Sequence, residues 1–138
     1  MAGARTVLAF DFGRRRIGVA VGQELTGSAA PLVTLAVRNE RPDWDAIAAL
    51  VETWQPDLFV LGRAHAADGS PTALDAALER FARRLAGRYG RPVSFVDERL
   101  SSYAAGDHPR AGRAGLDAAS ASVILETWFA ENPPRPTP

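Results

Sequence analysis

The first part of the chain consists of apolar runs separated by short polar segments. Thr6 to Asp11 and Arg16 to Gly22 are rich in apolar and β-branched residues, and Phe12-Gly13-Arg14-Arg15 separates them. Two such runs around a short turn predict an antiparallel β-hairpin. A third apolar run, Ala30 to Val37, follows the turn residues Thr26-Gly27-Ser28. The chain is therefore predicted to begin with a meander of three strands.

Apolar residues recur with a helical period from Pro42 onwards. The residues that share one face of this predicted helix are Trp44, Ile47, Leu50, Val51 and Trp54. Gln55-Pro56 is predicted to end the helix, because proline cannot continue it. Leu58 to Leu61 is apolar at every position, which is typical of a strand covered on both faces. A fourth strand near the centre of the sheet is therefore predicted.

The second half of the chain continues the alternation of helices and strands. A helix is predicted from Thr72 until Gly90, and Pro92 to Val96 supplies a fifth strand. Leu100 to Gly115 has no strong period, so a short helix and a mobile loop are expected there. Leu116 to Ala130 is amphipathic and predicts a final helix.

The predicted order β-β-β-α-β-α-β-α-α indicates an α/β fold. We expect a five-stranded mixed sheet, with an antiparallel meander of the first three strands and helices on both faces. A chain of 138 residues is too short for two ordinary domains, so residues 1–131 are expected to form a single domain. The Pro-rich residues 132–138 are expected to be a disordered tail.

Composition limits the partners that this domain can bind. The formal net charge is zero and all sixteen basic residues are Arg, so affinity for nucleic acid must come from local patches. The absence of Cys excludes disulfides and thiolate zinc sites. The apolar runs are too short for a secretion signal or a membrane span. A cytoplasmic protein with no membrane partner is therefore expected.

Carboxylates occur at the ends of several predicted elements. Asp11 ends the first strand, Asp97 and Glu98 follow the fifth strand, and Asp117 opens the last helix. Taken singly, each has a structural explanation as a turn residue, a solvated strand end or a helix cap. A mixed sheet can nevertheless bring strand ends and the first turn of a helix together. Such oxygen ligands suit Mg²⁺ or Mn²⁺, and a pair of these ions can catalyse phosphodiester hydrolysis.

Several motifs occur in an order and spacing that resemble the YqgF family, also called RuvX. They are Asp11-Phe12-Gly13, Arg16-Ile17-Gly18-Val19-Ala20, Gly62, Asp97-Glu98-Arg99-Leu100-Ser101 and Asp117-Ala118-Ala119-Ser120-Ala121. The resemblance extends from Leu8 to Glu131. Members of this family are described as Holliday junction resolvases or as pre-16S ribosomal RNA nucleases.

The resemblance implies an RNase H-like fold and a catalytic, metal-binding trio of Asp11, Glu98 and Asp117. It selects Glu98 over Asp97, a choice that periodicity alone leaves open. It also implies an endonuclease, which we expect to use two Mg²⁺ or Mn²⁺ ions. We expect this enzyme to process the 5′ end of pre-16S rRNA, since a neutral domain lacks a long basic surface for a four-way junction.

Other functions stay open at this point. Cleavage of Holliday junctions in branched DNA is the main alternative, and a non-catalytic nucleic-acid-binding protein is a more distant one. An actin-like or sugar-kinase ATPase shares the Asp-x-Gly turn, but a chain of this length has no second domain to enclose ATP. Either a monomer or a homodimer is compatible with the sequence.

Basic and polar residues near the trio are candidates for substrate binding. Arg14, Arg15 and Arg16 are predicted to hold phosphates beside the scissile bond, with Gly62 and Ser101 in the same site. The secondary candidates are His65, Asp97 and Ser120. His65 lies in a loop, residues 62–70, that departs from the family's usual Gly-Leu-Pro-like sequence, and a solvated position is its alternative.

Two further features bear on substrate binding. Arg15 stands where many family members have Lys, and the segment between Glu98 and Asp117 is shorter than usual. A row of arginines also recurs along the second predicted helix, at Arg80, Arg83, Arg84 and Arg88. This row is either a solvated face or a second binding surface.

Overall fold

The structure is a computed structural model that describes residues 5–63, 74–97 and 113–133, with side chains in the last segment described from residue 117 onwards. Its elements in chain order are β1 (Thr6–Phe12), β2 (Arg16–Gln23), β3 (Ser28–Arg38), β4 (Arg41–Pro42), α1 (Trp44–Trp54), β5 (Leu58–Arg63), α2 (Asp75–Tyr89), β6 (Val93–Asp97) and α3 (Arg113–Glu131).

The strands form one mixed sheet in the order β4-β3-β2-β1-β5-β6. β1, β2 and β3 pair antiparallel, whereas β5 pairs parallel with β1, and β6 pairs parallel with β5. The predicted meander and the mixed sheet are therefore confirmed. The strand predicted from Leu58 is β5, which lies between β1 and β6 and is buried at every position except Arg63.

The prediction of five strands was wrong, because a sixth strand, β4, lies at one edge of the sheet. β4 consists only of Arg41 and Pro42 and pairs antiparallel with the end of β3. Asn39 and Glu40 make the tight connection, with φ angles of 52° and 61°. A strand of two residues has no alternating pattern that a sequence could reveal. Proline is tolerated in it because an edge strand needs hydrogen bonds on one side only.

α1 begins at Trp44 and not at the predicted Pro42. Asp43 is the N-cap, and its side chain accepts a hydrogen bond of 3.1 Å from the backbone N–H of Ala46. The cap satisfies one of the free N–H groups of the first turn, which places the start of the helix after Asp43. At the other end Gln55 adopts a left-handed conformation before Pro56, so the helix ends where the sequence predicted.

The remaining described helices follow the predicted order but differ from the predicted bounds, since α2 begins at Asp75 and not at Thr72. α2 ends at Tyr89, and Gly90 follows with a left-handed φ of 64°. α3 begins at Arg113, earlier than the predicted Leu116. The predicted short helix and loop of residues 100–115 fall largely outside the described residues, as do residues 134–138 of the predicted tail. No described helix combines the length and apolar character that crossing a membrane requires.

Helices cover both faces of the sheet, as predicted. α1 and α2 pack on one face and α3 packs on the other. Along β1, Leu8 and Phe10 are fully buried on the face of α1 and α2, and Val7 and Ala9 are fully buried on the face of α3. Burial of a large apolar side chain contributes about 1.5–3 kcal/mol. Both faces of β1 thus belong to the core, and polar chemistry is confined to the end of the strand.

Small residues on β2 allow α3 to approach the sheet closely. Gly18, Ala20 and Gly22 alternate along β2 and share the face that α3 covers. A Cβ atom added to Gly22 would lie 2.7 Å from the Leu125 side chain, and one added to Gly18 would overlap the backbone carbonyl of Asp117. We call Gly18, Ala20 and Gly22 the small-residue stripe. The small-residue stripe allows the short distance between α3 and the sheet.

Candidate active site

Asp11 lies near the carboxyl end of β1, on the face of the sheet that α3 covers. Side chains alternate along a strand, and Ala9 is packed on the α3 side whereas Phe12 packs against the core beneath α1 and α2. Asp11 therefore shares the face of Ala9. It is half-buried, in contrast to the fully buried residues that precede it in β1.

Asp117 is brought to the same place by the small-residue stripe. Gly18 is the strand partner of Asp11 across β1 and β2. The backbone of Asp117 packs directly on Gly18, since an added Cβ would overlap its carbonyl and would lie 2.8 Å from the backbone nitrogen of Ala118. The last helix thus sets Asp117 beside the strand pair that carries Asp11, although the two residues are far apart in the sequence.

Arg16 forms an ion pair with Asp117 in this site. Arg16 and Gly18 point to the same face of β2, and the Nε atom of Arg16 lies 2.8 Å from the Oδ2 atom of Asp117. Oδ2 is buried, and no donor in the described segments, Arg16 included, meets it with hydrogen-bond geometry. The short distance therefore reflects charge attraction without the alignment of a hydrogen bond.

Asp97 lies on the opposite face of the sheet from Asp11. Val96, its neighbour in β6, packs into the apolar cluster under α3, so alternation turns Asp97 away from that side. Asp97 pairs in register with Arg63 of β5, whose guanidinium lies 4.3 Å from the centre of the Phe95 ring. The structure does not bring Asp97 together with Asp11 and Asp117.

Gly62 ends the buried part of β5 on the face of Asp11. It pairs with Val96, and the register of β1 and β5 pairs Phe10 with Leu61. Gly62 is therefore the next position along β5, beside Asp11 in β1. It is buried and carries no side chain, so backbone groups are what it can offer at this edge.

Arg63, which sequence reasoning did not single out, ties the end of β5 to α2. Its Nη1 atom donates hydrogen bonds of 3.0 Å and 3.2 Å to the carboxylate of Asp75, in the first turn of α2. Both side chains are mostly buried. The sequence shows Arg63 after Gly62 and Asp75 near the start of a predicted helix. No local pattern in the sequence indicates that these two residues form a pair. The Arg63–Asp75 pair anchors the end of β5 to the start of α2.

The other predicted site residues are distributed as follows. Arg14 and Arg15 are exposed in the turn between β1 and β2. Ser120 is buried within α3. Glu98, Ser101 and His65 lie outside the described residues.

The arginine row of α2 belongs to the other side of the sheet. Arg80, Arg83, Arg84 and Arg88 are exposed on a helix that packs opposite α3. The Arg88 guanidinium lies 4.2 Å from the centre of the Trp44 ring, so this side chain is used in packing α2 against α1. The row does not border Asp11 or Asp117.

The acidic residues of this site are suited to a hard divalent cation. Within the described part of the chain, no group of three Asp, Glu, His or Cys side chains is arranged to hold a metal. Asp11 and Asp117 supply oxygen atoms only, which is the donor set that Mg²⁺ and Mn²⁺ prefer. Oδ2 of Asp117 is buried without a well-aligned hydrogen bond, and its ion pair with Arg16 shows that this oxygen takes a cationic partner. The residues present therefore fit such a metal.

Comparison with known proteins identifies relatives along nearly the whole chain. A family model described as "RuvX: Holliday junction resolvase" matches residues 5–131. Three relatives carry the name "Putative pre-16S rRNA nuclease". The one from Azotobacter vinelandii is 44% identical and the match covers 96% of this chain and 99% of that protein. Those from Chromohalobacter salexigens and Edwardsiella ictaluri are 49% and 48% identical, over 95% and 91% of this chain and 93% and 94% of theirs.

Solved structures show the same fold at low sequence identity. RuvC from Thermus thermophilus in complex with a Holliday junction substrate superposes with a TM-score of 0.58, at 14% identity, over 92% of this chain and 95% of that one. A second structure of the same protein gives a TM-score of 0.53. The predicted RNase H-like fold is thereby confirmed. The family resemblance drawn from the motifs is confirmed as well, and the chain belongs to the RuvX family of nucleases.

Proposed function

We propose that this protein is a divalent-metal-dependent endonuclease that hydrolyses phosphodiester bonds, with Asp11, Glu98 and Asp117 as its catalytic trio. One observation carries the proposal: the backbone of Asp117 packs on Gly18, the strand partner of Asp11. This contact sets the backbones that carry two carboxylates beside each other at one edge of an otherwise apolar core. Because a structural cap or turn residue would not need this proximity, a shared function is the better explanation.

Glu98 is proposed as the third member because of the alternation along β6. Val96 faces α3 and Asp97 faces away from it. In a continuing strand, the position after Asp97 is the one that shares the face of Val96. The structure describes β6 only as far as Asp97, so Glu98 rests on this argument and on the family motif.

The trio would hold Mg²⁺ or Mn²⁺, and we favour two ions. When bound, these ions supply the positive charge that activates water and stabilises the leaving oxygen in phosphodiester cleavage. The chain itself provides rigid carriers for the carboxylates. Asp11 follows the fully buried residues of β1, and Asp117 is fixed by contact between backbones, so neither carrier can shift without disturbing the core.

Exposed basic groups beside Asp11 would bind the phosphates of the substrate. Arg14 and Arg15 project from the turn that follows β1, and a guanidinium can donate two parallel hydrogen bonds to one phosphate. The backbone of Gly62 lies at the same edge of the sheet. We include Ser101 in this group from its motif alone. With a net charge of zero, the protein relies on this local cluster for its affinity.

The substrate that we propose is RNA, in the processing of the 5′ end of pre-16S rRNA. Relatives that are 44% to 49% identical carry the name of a nuclease acting on this RNA, which supports the assignment. The description of the matching family supports a second candidate, the resolution of Holliday junctions. The two reactions share their chemistry and differ in the shape of the substrate.

The test is a cleavage panel on the purified protein. Single-stranded RNA carrying the 5′ processing site, single-stranded DNA, duplex DNA and a four-way junction are each incubated with and without Mn²⁺. We expect cleavage of the RNA in Mn²⁺ and its loss by about a thousandfold or more in Asp11→Asn, because the carboxylate is a proposed metal ligand. Preferred cleavage of the junction would favour the second candidate.

A matched variant controls for charge and fold. Asp45→Asn makes the same chemical change at an exposed position of α1, on the other side of the sheet from Asp11. It should cleave as the unmodified protein does. Full activity in Asp11→Asn, or equal cleavage with and without Mn²⁺, would contradict the mechanism.

A further inference from the structure

We propose that Arg16 is a counterion that a divalent metal displaces from Asp117, and that the released guanidinium then binds a phosphate of the nucleic acid. Arg16 would thereby couple metal binding to substrate binding. This inference rests on the metal site proposed above, and its experiment separates the failure of one from the failure of the other.

The pair of Arg16 and Asp117 is built into the fold and is not a chance surface contact. Arg16 opens β2 and points to the same face as Gly18, on which the backbone of Asp117 rests. The side chains of Arg16 and Asp117 are thus brought together when α3 packs on β2. Asp117 is 25% exposed and Arg16 is 42% exposed, so the carboxylate is the more enclosed partner.

Charge attraction holds Arg16 and Asp117 together. Strong Arg–carboxylate pairs are bidentate, with two parallel hydrogen bonds. Here a single Nε atom approaches Oδ2 of Asp117 at 2.8 Å, and that oxygen accepts no hydrogen bond within the described residues. The attraction is therefore one of charge with little directional bonding. A doubly charged ion competes well for such an oxygen, since its charge is twice as large.

After displacement by the metal, the Arg16 guanidinium would be available to a phosphate. A guanidinium beside a bound cation is repelled by it, whereas a phosphate oxygen attracts both. Among the three consecutive arginines, Arg16 is the one whose side chain lies in contact with Asp117, whereas Arg14 and Arg15 lie in the turn before β2. Its planar group suits a phosphate better than a lysine would. Arg16 is thus a positioning residue for the phosphate nearest Asp117.

The proposal predicts opposite effects on two ligands when Arg16 is neutralised. In Arg16→Gln, Mn²⁺ titrated by calorimetry should bind about three- to tenfold more tightly, because a competing positive charge is gone. A short single-stranded RNA, measured with Ca²⁺ to prevent cleavage, should bind about tenfold more weakly, because one charged phosphate contact is lost. If the role of Arg16 were purely structural, Arg16→Gln would weaken the binding of both Mn²⁺ and RNA.

The matched control is Arg84→Gln, which removes the same charge from an exposed position of α2, on the opposite side of the sheet from Arg16. Both affinities of this variant should stay within about twofold of the unmodified protein, because screening limits a distant surface charge. Arg16→Lys retains the charge and should bind Mn²⁺ as the unmodified protein does. A weaker or unchanged Mn²⁺ affinity in Arg16→Gln would overturn the proposal.

A second measurement uses the unmodified chain and does not depend on a folded variant. In ¹⁵N-labelled protein, the Nε–Hε resonance of Arg16 should shift on addition of Mg²⁺ and shift again on addition of the RNA. A resonance that stays in place when Mg²⁺ saturates the protein would refute the displacement. If the unmodified protein binds neither Mn²⁺ nor Mg²⁺, the metal site itself fails, and with it the proposed function.

Discussion

The two faces of the sheet are packed in different ways. Beneath α1 and α2 the core is filled by large side chains, including Phe10, whose ring centroid lies 5.9 Å from that of Phe59 and 5.5 Å from that of Phe81. Beneath α3 the first contact is between backbones, at Gly18 and Asp117. Packed side chains can change rotamers to accommodate a shift. Two backbones in contact have no such freedom, so their relative position is fixed. Both faces bury apolar side chains, but the contact at Gly18 gives the second face a further role, the placement of a functional residue.

Phe59→Ala should produce the largest loss of stability, because it removes a fully buried ring from the first face. We expect the free energy of unfolding to fall by about 3–5 kcal/mol, as for other buried aromatic residues replaced by Ala. Phe59→Leu leaves less of a cavity and should cost less. Chemical denaturation measures both values.

The comparison further predicts that the folded fraction of Phe59→Ala keeps its cleavage rate. Phe59 lies at the start of β5, whereas the candidate site is at the other end of that strand. Cleavage measured at a temperature where the variant is folded should stay within about twofold of the unmodified protein, since distant sites act independently. A rate lost in parallel with stability would show that the two faces are not separate in function.

Gly18→Ala should have the opposite effect to Phe59→Ala, with a smaller loss of stability and a larger loss of activity. A Cβ atom at this position collides with the backbone of Asp117, so the start of α3 must move away from β2. We expect the free energy of unfolding to fall by about 1–3 kcal/mol, as in overpacked cores. Cleavage should fall by about a hundredfold, because misplacement of a catalytic group by about 1 Å has such an effect.

Gly87→Ala is the matched control for this substitution. Gly87 lies in α2, and an added Cβ meets nothing within 4 Å. The variant should gain about 0.5–1 kcal/mol, because Ala favours a helix over Gly, and should cleave normally. Normal cleavage in Gly18→Ala would instead mean that the position of Asp117 does not matter for the reaction.

The same contrast explains how much of the molecule the sequence could predict. The hairpin, the meander and the end of α1 at Gln55-Pro56 depend on local patterns of apolar, turn and breaker residues, and they were predicted correctly. The two-residue strand β4 was missed because it is too short to have a pattern. The start of α1 was misplaced because Asp43, and not Pro42, supplies the capping group.

The candidate site was predictable in its residue types but not in its contacts. The three consecutive arginines looked like one phosphate clamp in the sequence, yet the structure pairs Arg16 with Asp117 and leaves Arg14 and Arg15 exposed. Gly18 and Gly22 read simply as part of an apolar strand. Their importance depends on which helix packs over β2, and that is a property of the tertiary fold.

The smallest effect is expected at the other end of α3, where a surface pair contacts the helix. Arg5 donates hydrogen bonds of 3.1 Å and 2.7 Å to Glu24, and its guanidinium lies 5.7 Å from the centre of the Trp128 ring. The hydrogen bonds from Arg5 lower the pKa of Glu24 below its ordinary value. The stabilisation is therefore complete above that ordinary pKa and is lost as the pH falls through the lower, folded-state pKa.

Glu24→Gln should thus reduce the free energy of unfolding by about 0.5 kcal/mol at pH 7, since Arg5 is 46% exposed and solvent screens the pair. The difference from the unmodified protein should vanish in strongly acidic solution, where both chains carry an uncharged group at this position, and should shrink in concentrated salt. Cleavage should not change, because this pair lies near Trp128 and not near Asp117. A loss of cleavage would mean that the placement of Asp117 depends on both ends of α3, and not on the contact with Gly18 alone.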